Sequence, residues 1–309
     1  MIITLTMNPA VDKSSQVDHV VAERKLRCQA PLFEPGGGGI NVSRAIRNLG
    51  GGSMAVYPSG GAPGQLFRDL LDNEEINHYS VPIEGWTRQN LMIYETNSGK
   101  QFRFGMPGPE LSREEWQACL DRVFEQDNNI GFIVASGSLP PGVPDDFYGT
   151  LARQCRGKNI PLILDTSKQP LCSALQEGVF LIKPNLNELN TLAGRRLENE
   201  ADQEALARSL VEQKKCRYVV VSMGAAGVLA VSGDSVQRLR APTVNIKSKV
   251  GAGDSMVAGM TLKLAERWPF MDAVRYGVAA GAAAVMTPGS ELCRRSDTES
   301  LYKQVVASV

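Results

Sequence analysis

Short β-branched or apolar runs alternate with amphipathic segments along this chain, and that rhythm constrains the fold more than any other feature. The strand-like runs are Ile2–Thr6, Ser53–Tyr57, Ile130–Ala135, Pro161–Leu164, Val179–Ile182 and Tyr218–Ser222. Several lack strict apolar/polar alternation, as expected for strands of a parallel sheet covered on both faces. Helical patterns lie between them, at Ile40–Leu49 (closed by Gly50), Gln65–Asp72, Glu114–Glu125, Asp145–Arg156 and Ala201–Gln213. Beyond Gly251 the chain turns mostly helical, with Gly253–Glu266, Met271–Val285 and Asp297–Val306. Ser112 with Glu115, and Ser296 with Glu299, read as capping boxes. The fold class expected is α/β: a doubly wound, mostly parallel sheet with helices on both faces, forming one domain over residues 1–309.

Two segments break the rhythm. Val17–Val21, Gln89–Tyr94 and Gln101–Phe104 read as strands with no crossover helix, and Asn97-Ser98-Gly99-Lys100 is a hairpin-turn signal. They predict a small inserted β-sheet lid formed by about 13–33 and 86–106. The alternative is an antiparallel extension at the edge of the main sheet.

Composition excludes several classes. With 33 Lys+Arg against 33 Asp+Glu, bulk charge does not favour nucleic acid or an anionic membrane surface. Only two His, His19 and His78, leave little room for a His-rich metal site or a His-based triad. The six Cys, at 28, 119, 155, 172, 216 and 293, never approach CxxC spacing and read as free thiols of a reducing cytosol. The start, MIITLTMNPAVD, lacks the basic region of a secretory signal, and no apolar stretch is long enough to span a bilayer. A cytoplasmic protein is expected.

Motifs narrow the phosphate chemistry by elimination. There is no GxxxxGK[ST], and Gly36-Gly37-Gly38-Gly39 fails GxGxxG because Asn41 stands at the last position. The protein-kinase motifs and the GxSxG elbow are absent too. What remains is Val250-Gly251-Ala252-Gly253-Asp254-Ser255 directly before a helix. Glycines let backbone N–H groups crowd an anion at a helix N-terminus. An aspartate in the first turn can take a proton from an attacking hydroxyl while those N–H groups hold the charge on a transferred phosphoryl group. Alone, the same residues also suit an acidic helix start after a turn. Polar turns follow other strands as well: Asn8 and Asp12, Ser136-Gly137-Ser138, Asp165, Lys183-Pro184-Asn185 and Ser222-Met223-Gly224. In an open parallel sheet these ends share one crevice, where ligands bind.

Together, Thr4–Asp12, the Gly36–Asn41 run, Lys183-Pro184-Asn185-Leu186-Asn187-Glu188 and Val250–Asp254 resemble the ribokinase/PfkB sugar-kinase family over essentially the whole chain. The resemblance implies a ribokinase-like fold and an ATP-dependent kinase. Phe33–Val42, Trp86–Asn90 and Phe102–Phe104 are most similar to the branch that phosphorylates fructose 6-phosphate at O1. Tagatose 6-phosphate and fructose 1-phosphate kinases of the family remain alternatives, as does a non-catalytic sugar-binding protein.

By the same resemblance, Asp254 is the base, with Gly251, Ala252 and Gly253 as the anion hole. Asp12, Gly36, Gly37 and Asn41 meet sugar hydroxyls. Arg88 and Arg103 on the lid grip the sugar's phosphate, joined by Ser138 and, across a subunit interface, by Lys25 and Arg27. Lys183, Asn185, Ser222, Gly224 and Gly227 are nucleotide contacts, and the Gly277–Val285 helix is an adenine wall. Glu188 relates to Mg²⁺, and carbonyls near Lys249 and Ala284–Gly289 to a monovalent cation such as K⁺. Asn187 departs from the pattern, standing where a charged residue is expected. A homodimer through the lid is expected, with Val17, Val20, Leu91 and Ile93 covering each other.

Overall fold

The computed structural model describes residues 1–125, 129–289 and 291–307. In chain order its strands are β1 (Ile2–Leu5), β2 (Ala10–Val17), β3 (Leu32–Gly36), β4 (Met54–Ser59), β5 (His78–Pro82), β6 (Arg88–Glu95), β7 (Lys100–Phe104), β8 (Phe132–Ser136), β9 (Leu162–Asp165), β10 (Val179–Ile182), β11 (Cys216–Ser222), β12 (Val228–Val231) and β13 (Val236–Leu239). Its α-helices are α1 (Gly38–Asn48), α2 (Gly61–Asn73), α3 (Arg113–Glu125), α4 (Phe147–Gly157), α5 (Lys168–Glu177), α6 (Leu186–Ala193), α7 (Glu200–Glu212), α8 (Ala252–Ala265), α9 (Phe270–Val285) and α10 (Arg295–Ala307).

The main sheet runs β13-β12-β11-β10-β9-β8-β1-β4-β5. All pairings from β11 to β5 are parallel, and only β12 and β13 add antiparallel. Successive side chains of the central strands enter opposite layers. Ile133 and Ala135 of β8 join the layer with α3, α4 and α7, whereas Val134 joins the layer with α1, α8, α9 and α10. Both faces are therefore apolar, which is why these strands show no alternation in sequence. From β1 the chain proceeds to β4 and β5 on one side and later to β8 on the other. This switch point opens a crevice at the carboxyl ends of β1 and β8.

A second sheet, β3-β2-β6-β7, carries the inserted strands. Its first strand lies at Ala10–Val17 instead of the expected Val17–Val21. The fully buried Val11 packs with Tyr57 and Phe67 and pins that register, while Glu23 beyond it has φ 57° and leaves extended geometry. Asp12 thus belongs to a strand, opposite Asn90 and Glu34. The Ser112–Glu115 capping box forms, with reciprocal bonds of 3.2 and 2.7 Å. The one at Ser296 does not: α10 starts a residue earlier, and Glu299 accepts from Arg295 Nε at 2.7 Å. All six cysteines are free thiols. No helix among the described residues is long and apolar enough to cross a membrane.

Helices α8 and α9 meet through small residues. A Cβ on Gly277 would lie 2.9 Å from the Met256 carbonyl oxygen and 2.4 Å from Met260 Cγ, and one on Gly281 3.1 Å from the Ala252 carbonyl oxygen. The glycines hold α9 against the first turns of α8. Replacing Gly277 by Val is expected to destabilise by about 1–3 kcal/mol, the usual cost of overpacking. A urea-unfolding midpoint equal to that of the parent protein would refute this.

Candidate active site

The floor of the crevice depends on missing side chains. Gly36 ends β3, and a Cβ there would fall 2.1 Å from Asp12 Oδ2, so the aspartate can lie across it only if residue 36 is glycine. A Cβ on Gly38 would sit 2.2 Å from Ser136 Oγ, and one on Gly39 2.6 Å from the Leu5 carbonyl oxygen. Helix α1 therefore begins in backbone contact with the ends of β1 and β8, and Gly37 lies in the turn before it. Asn41, in the first turn of α1, is buried and donates from Nδ2 to Asp254 Oδ2 at 2.9 Å.

Asp254 occupies the first turn of α8, whose N-cap is Gly251 in the left-handed conformation at φ 71°. Leu292 packs where a Cβ of residue 251 would be, at 2.2 Å. Ala252 and Gly253 open the helix, so their amides belong to the unpaired N-terminal set. Burial, together with the neighbouring Asp165 carboxylate, pushes the Asp254 carboxyl up to about 7, while the Asn41 bond and the Lys183 ammonium pull the other way. Lys183 is buried and paired with Asp165 Oδ1 at 3.2 Å. Its Nζ lies 3.4 Å from where a Cβ of Gly253 would be. Burial alone would lower this lysine's pKa, but Asp165, Asp254 and Glu188 outweigh it and the net direction is upward. A carboxylate, unpaired helix amides and a fixed cation thus meet at one point, an arrangement able to take a proton from a hydroxyl and to hold charge on a phosphoryl group.

Asp165 is the residue that sequence reasoning left without a role. Its signal was position: it ends β9, and Lys183 directly follows β10, the parallel neighbour.

On the sugar side, Asp12 Oδ1 accepts from Asn90 Nδ2 at 2.8 Å, and Asn90 Oδ1 accepts from the Met106 amide at 3.1 Å. Burial raises the Asp12 pKa against the opposing pull of Asn90 and Arg88. Arg88 donates to two main-chain carbonyls, Asn8 at 2.8 Å and Met106 at 3.1 Å, tying β6 to the end of β1. It is a cross-brace between β6 and the turn after β1. Arg103 is exposed on β7 and donates to Gln101 Oε1 at 3.1 Å. A cavity of about 230 Å³ runs between Asp12, Asn90, Arg103 and Val250, joining the small sheet to the approach of α8. Ser138, exposed, accepts from Asn8 Nδ2 at 3.2 Å. Lys25 and Arg27 lie exposed in the 18–31 connection and make no polar contact with these residues in the single chain.

The nucleotide-side residues also come together. Asn185 caps α6: its Oδ1 accepts the Glu188 amide at 2.9 Å, and Glu188 Oε2 accepts the Asn185 amide at 2.8 Å. Burial raises the Glu188 pKa despite that bond. Ser222 donates its amide to the Pro184 carbonyl at 2.9 Å, which sets the Gly224–Ala226 turn beside Lys183-Pro184-Asn185. Gly227 closes that turn at φ 92°. Residues 276–284 of helix α9, where an adenine wall is expected, are buried against α8 and the sheet. Near its end, the Val285 carbonyl accepts the Lys247 amide at 2.7 Å, so the Lys247–Val250 segment lies against the expected carbonyl cluster. A larger cleft of about 820 Å³, at the amino ends of β9, β10 and β11 between Phe180, Tyr218 and Phe270, shares no residue with this region.

Comparison with known proteins agrees with this arrangement. Residues 1–297 match the pfkB family carbohydrate kinases. The chain is 43% identical over 302 residues to ATP-dependent 6-phosphofructokinase isozyme 2 of Escherichia coli (strain K12), covering 97% of each chain. It is equally identical over 302 residues to the isozyme 2 of Mycobacterium tuberculosis (strain H37Rv), covering 98% of this chain and 89% of that one. Phosphofructokinase-2 of Escherichia coli solved with potassium superposes with a TM-score of 0.95 at 42% identity, over 99% of both chains. The same protein has been solved with fructose-6-phosphate and in a tetrameric inhibited form, at TM-scores of 0.93 and 0.94 and the same identity and coverage. Arabidopsis thaliana ribokinase, at 17% identity and a TM-score of 0.76 over 98% of each chain, shares the fold. The chain belongs to the pfkB family of carbohydrate kinases.

Proposed function

We propose that this chain is an ATP-dependent 6-phosphofructokinase that transfers the γ-phosphoryl group of ATP to O1 of fructose 6-phosphate. The observation that carries the reading is Asp254 at the start of α8, hydrogen-bonded to Asn41 and flanked by Lys183, with the cavity between Asp12 and Arg103 reaching Val250 just before that helix. The identity to the two isozyme 2 relatives selects the substrate within the family.

Asp254 takes the proton of the acceptor hydroxyl. Asn41 holds its Oδ2, leaving Oδ1 for the sugar. The amides of Gly251, Ala252 and Gly253 point at the transferring phosphoryl oxygens, and Lys183 adds a positive charge beside Gly253. Asp12, kept in place by Asn90 and by the absence of a side chain at Gly36, receives sugar hydroxyls with Gly37 and Asn41. Of Arg88 and Arg103, the latter spends fewer donors within the chain, and it takes the 6-phosphate, with Arg88 and Ser138 at the margin. The small sheet acts as the lid, within a single domain that spans the chain. Asn185, Ser222, Gly224 and Gly227 form the nucleotide cradle.

Among the described residues no group of three or more His, Cys, Asp or Glu could hold a metal ion. That suits Mg²⁺ bound chiefly by nucleotide phosphates and water, which needs only one or two carboxylates. Glu188 fits: one oxygen caps α6 and the other carries no hydrogen bond. Mg²⁺ would neutralise phosphate charge there. Carbonyls around Lys249 and Ala284–Gly289 are assigned to K⁺, on the strength of the potassium-bound relative. The free thiols fit a cytoplasmic protein.

For the dimer, the residues the sequence pointed to divide: Val17 and Ile93 are buried within the chain, whereas Val20 and Leu91 are half-exposed. Leu91 and its exposed register partner Phe104 share one face of the small sheet. That face is assigned to a second copy, which would bring Lys25 and Arg27 to the partner's site.

With a base whose pKa is about 7, kcat/KM for the sugar should rise with pH as Asp254 loses its proton and level off above neutrality. Asp254→Asn should lower kcat by roughly 10² or more while sugar binding persists. Near-parental turnover in that variant removes Asp254 from the mechanism. In a panel of fructose 6-phosphate, tagatose 6-phosphate, fructose 1-phosphate and fructose with Mg-ATP, the first should give the highest kcat/KM. Arg103→Ala should raise the KM for the phosphorylated sugar about tenfold or more, the loss of a charge-assisted contact. An unchanged KM would exclude the arginine from phosphate binding.

A further inference from the structure

Helix α1 carries Asn41 toward Asp254, and three residues later, on the same side of the helix, it carries a buried guanidinium. Arg44 is 6% exposed. Its Nε and Nη2 form a two-pronged pair with the Glu74 carboxylate, both at 2.6 Å, at the end of α2. Its Nη1 donates to the Pro35 carbonyl at 3.2 Å, and Nη2 lies 3.7 Å from Glu34 Oε1. Pro35 immediately precedes Gly36, over which Asp12 lies, and Glu34 is the register partner of Asp12. One planar group therefore touches the helix that orients the base, the strand under the sugar aspartate, and the end of α2.

We propose that Arg44 is a positioning residue that fastens the root of the small sheet to α1, holding Asp12 and Asp254 at a fixed separation across the sugar site. The chemistry favours this over a stabilising role alone. Burying an ion pair gains little over packed apolar side chains, so stability does not explain a guanidinium here. Geometry does. The fork to Glu74 fixes the plane of the group and thereby aims Nη1 at the Pro35 carbonyl. A lysine keeps the charge but cannot hold a bidentate carboxylate and that carbonyl together.

The inference rests on the sugar site assigned above, and its test has one arm that needs no sugar. In ligand-free Arg44→Lys, amide hydrogen exchange in residues 10–14 and 32–36 should speed up about tenfold or more, with β8 amides unchanged, as expected for a local opening. With Mg-ATP, the KM for fructose 6-phosphate should rise about tenfold while the KM for ATP stays within about twofold, a loss confined to one substrate. Glu74→Gln, at a partly exposed position, should shift both readouts the same way by less, and it serves if Arg44→Lys fails to fold. Unchanged exchange at 10–14 and 32–36, or equal changes in both KM values, would overturn the role. If the parent protein does not phosphorylate fructose 6-phosphate, the acceptor assignment fails and the exchange arm still decides whether Arg44 anchors the sheet.

Discussion

A carboxylate placed at the positive end of a helix should be easy to ionise, yet Asp254 is held near neutrality because burial and Asp165 oppose its charge. The rest of the site follows from that balance. Lys183 cannot be removed without leaving Asp165 and Asp254 as adjacent buried acids, and Asn41 cannot be lost without freeing the carboxyl to rotate. The carboxylate, its orienting amide and its nearby cation come from α8, α1 and the turn after β10. A single hydrogen-bonded cluster thus demands that elements more than a hundred residues apart in the chain be placed accurately.

The main sheet provides that accuracy. Because β1, β8, β9 and β10 are parallel neighbours, their carboxyl ends lie in a row, and the turns after them carry Asn8, Ser138, Asp165 and Lys183. The glycine run lets α1 descend onto that row until its first turn reaches Asp254, and the small residues of α9 press α8 from the other side. Close backbone approach does here what a longer side chain would do less rigidly. The small sheet is the less constrained part, joined to the row through Asp12, the Arg88 bonds to Asn8 and Met106, and Arg44.

Much of this was legible in the sequence because the signals were local. Periodicity marked the central strands and the long helices, and the polar residues at the strand ends marked the crevice. What was not legible depended on contacts across the chain. The strand at Ala10–Val17 contains Lys13, Ser14, Ser15 and Gln16 and looks like a loop. It is a strand because Val11 finds Tyr57 and Phe67 and because β3 and β6 flank it on both edges. The alanine-rich α9 gave no sequence cue to its partner, and its glycines show their purpose only where they meet Met256, Met260 and Ala252 of α8. Asp165 carried no motif, and its role emerges only when β9 is placed beside β10.

The positions of the two lid arginines carry a consequence for specificity. Arg88 spends two donors on main-chain carbonyls, so deleting it loosens the lid whether or not the sugar bears a phosphate. Arg103 has no such duty and stands at the cavity rim. If Arg103 meets the sugar phosphate as proposed, discrimination between a sugar phosphate and a free sugar falls mainly on it, because its loss would leave the Arg88 bonds in place and remove a charge that offsets desolvation of the phosphate. Loss of Arg88 would instead affect every acceptor alike. A chain of this family that kept Arg88 and lost Arg103 would on this logic retain a closed sugar site but favour unphosphorylated acceptors.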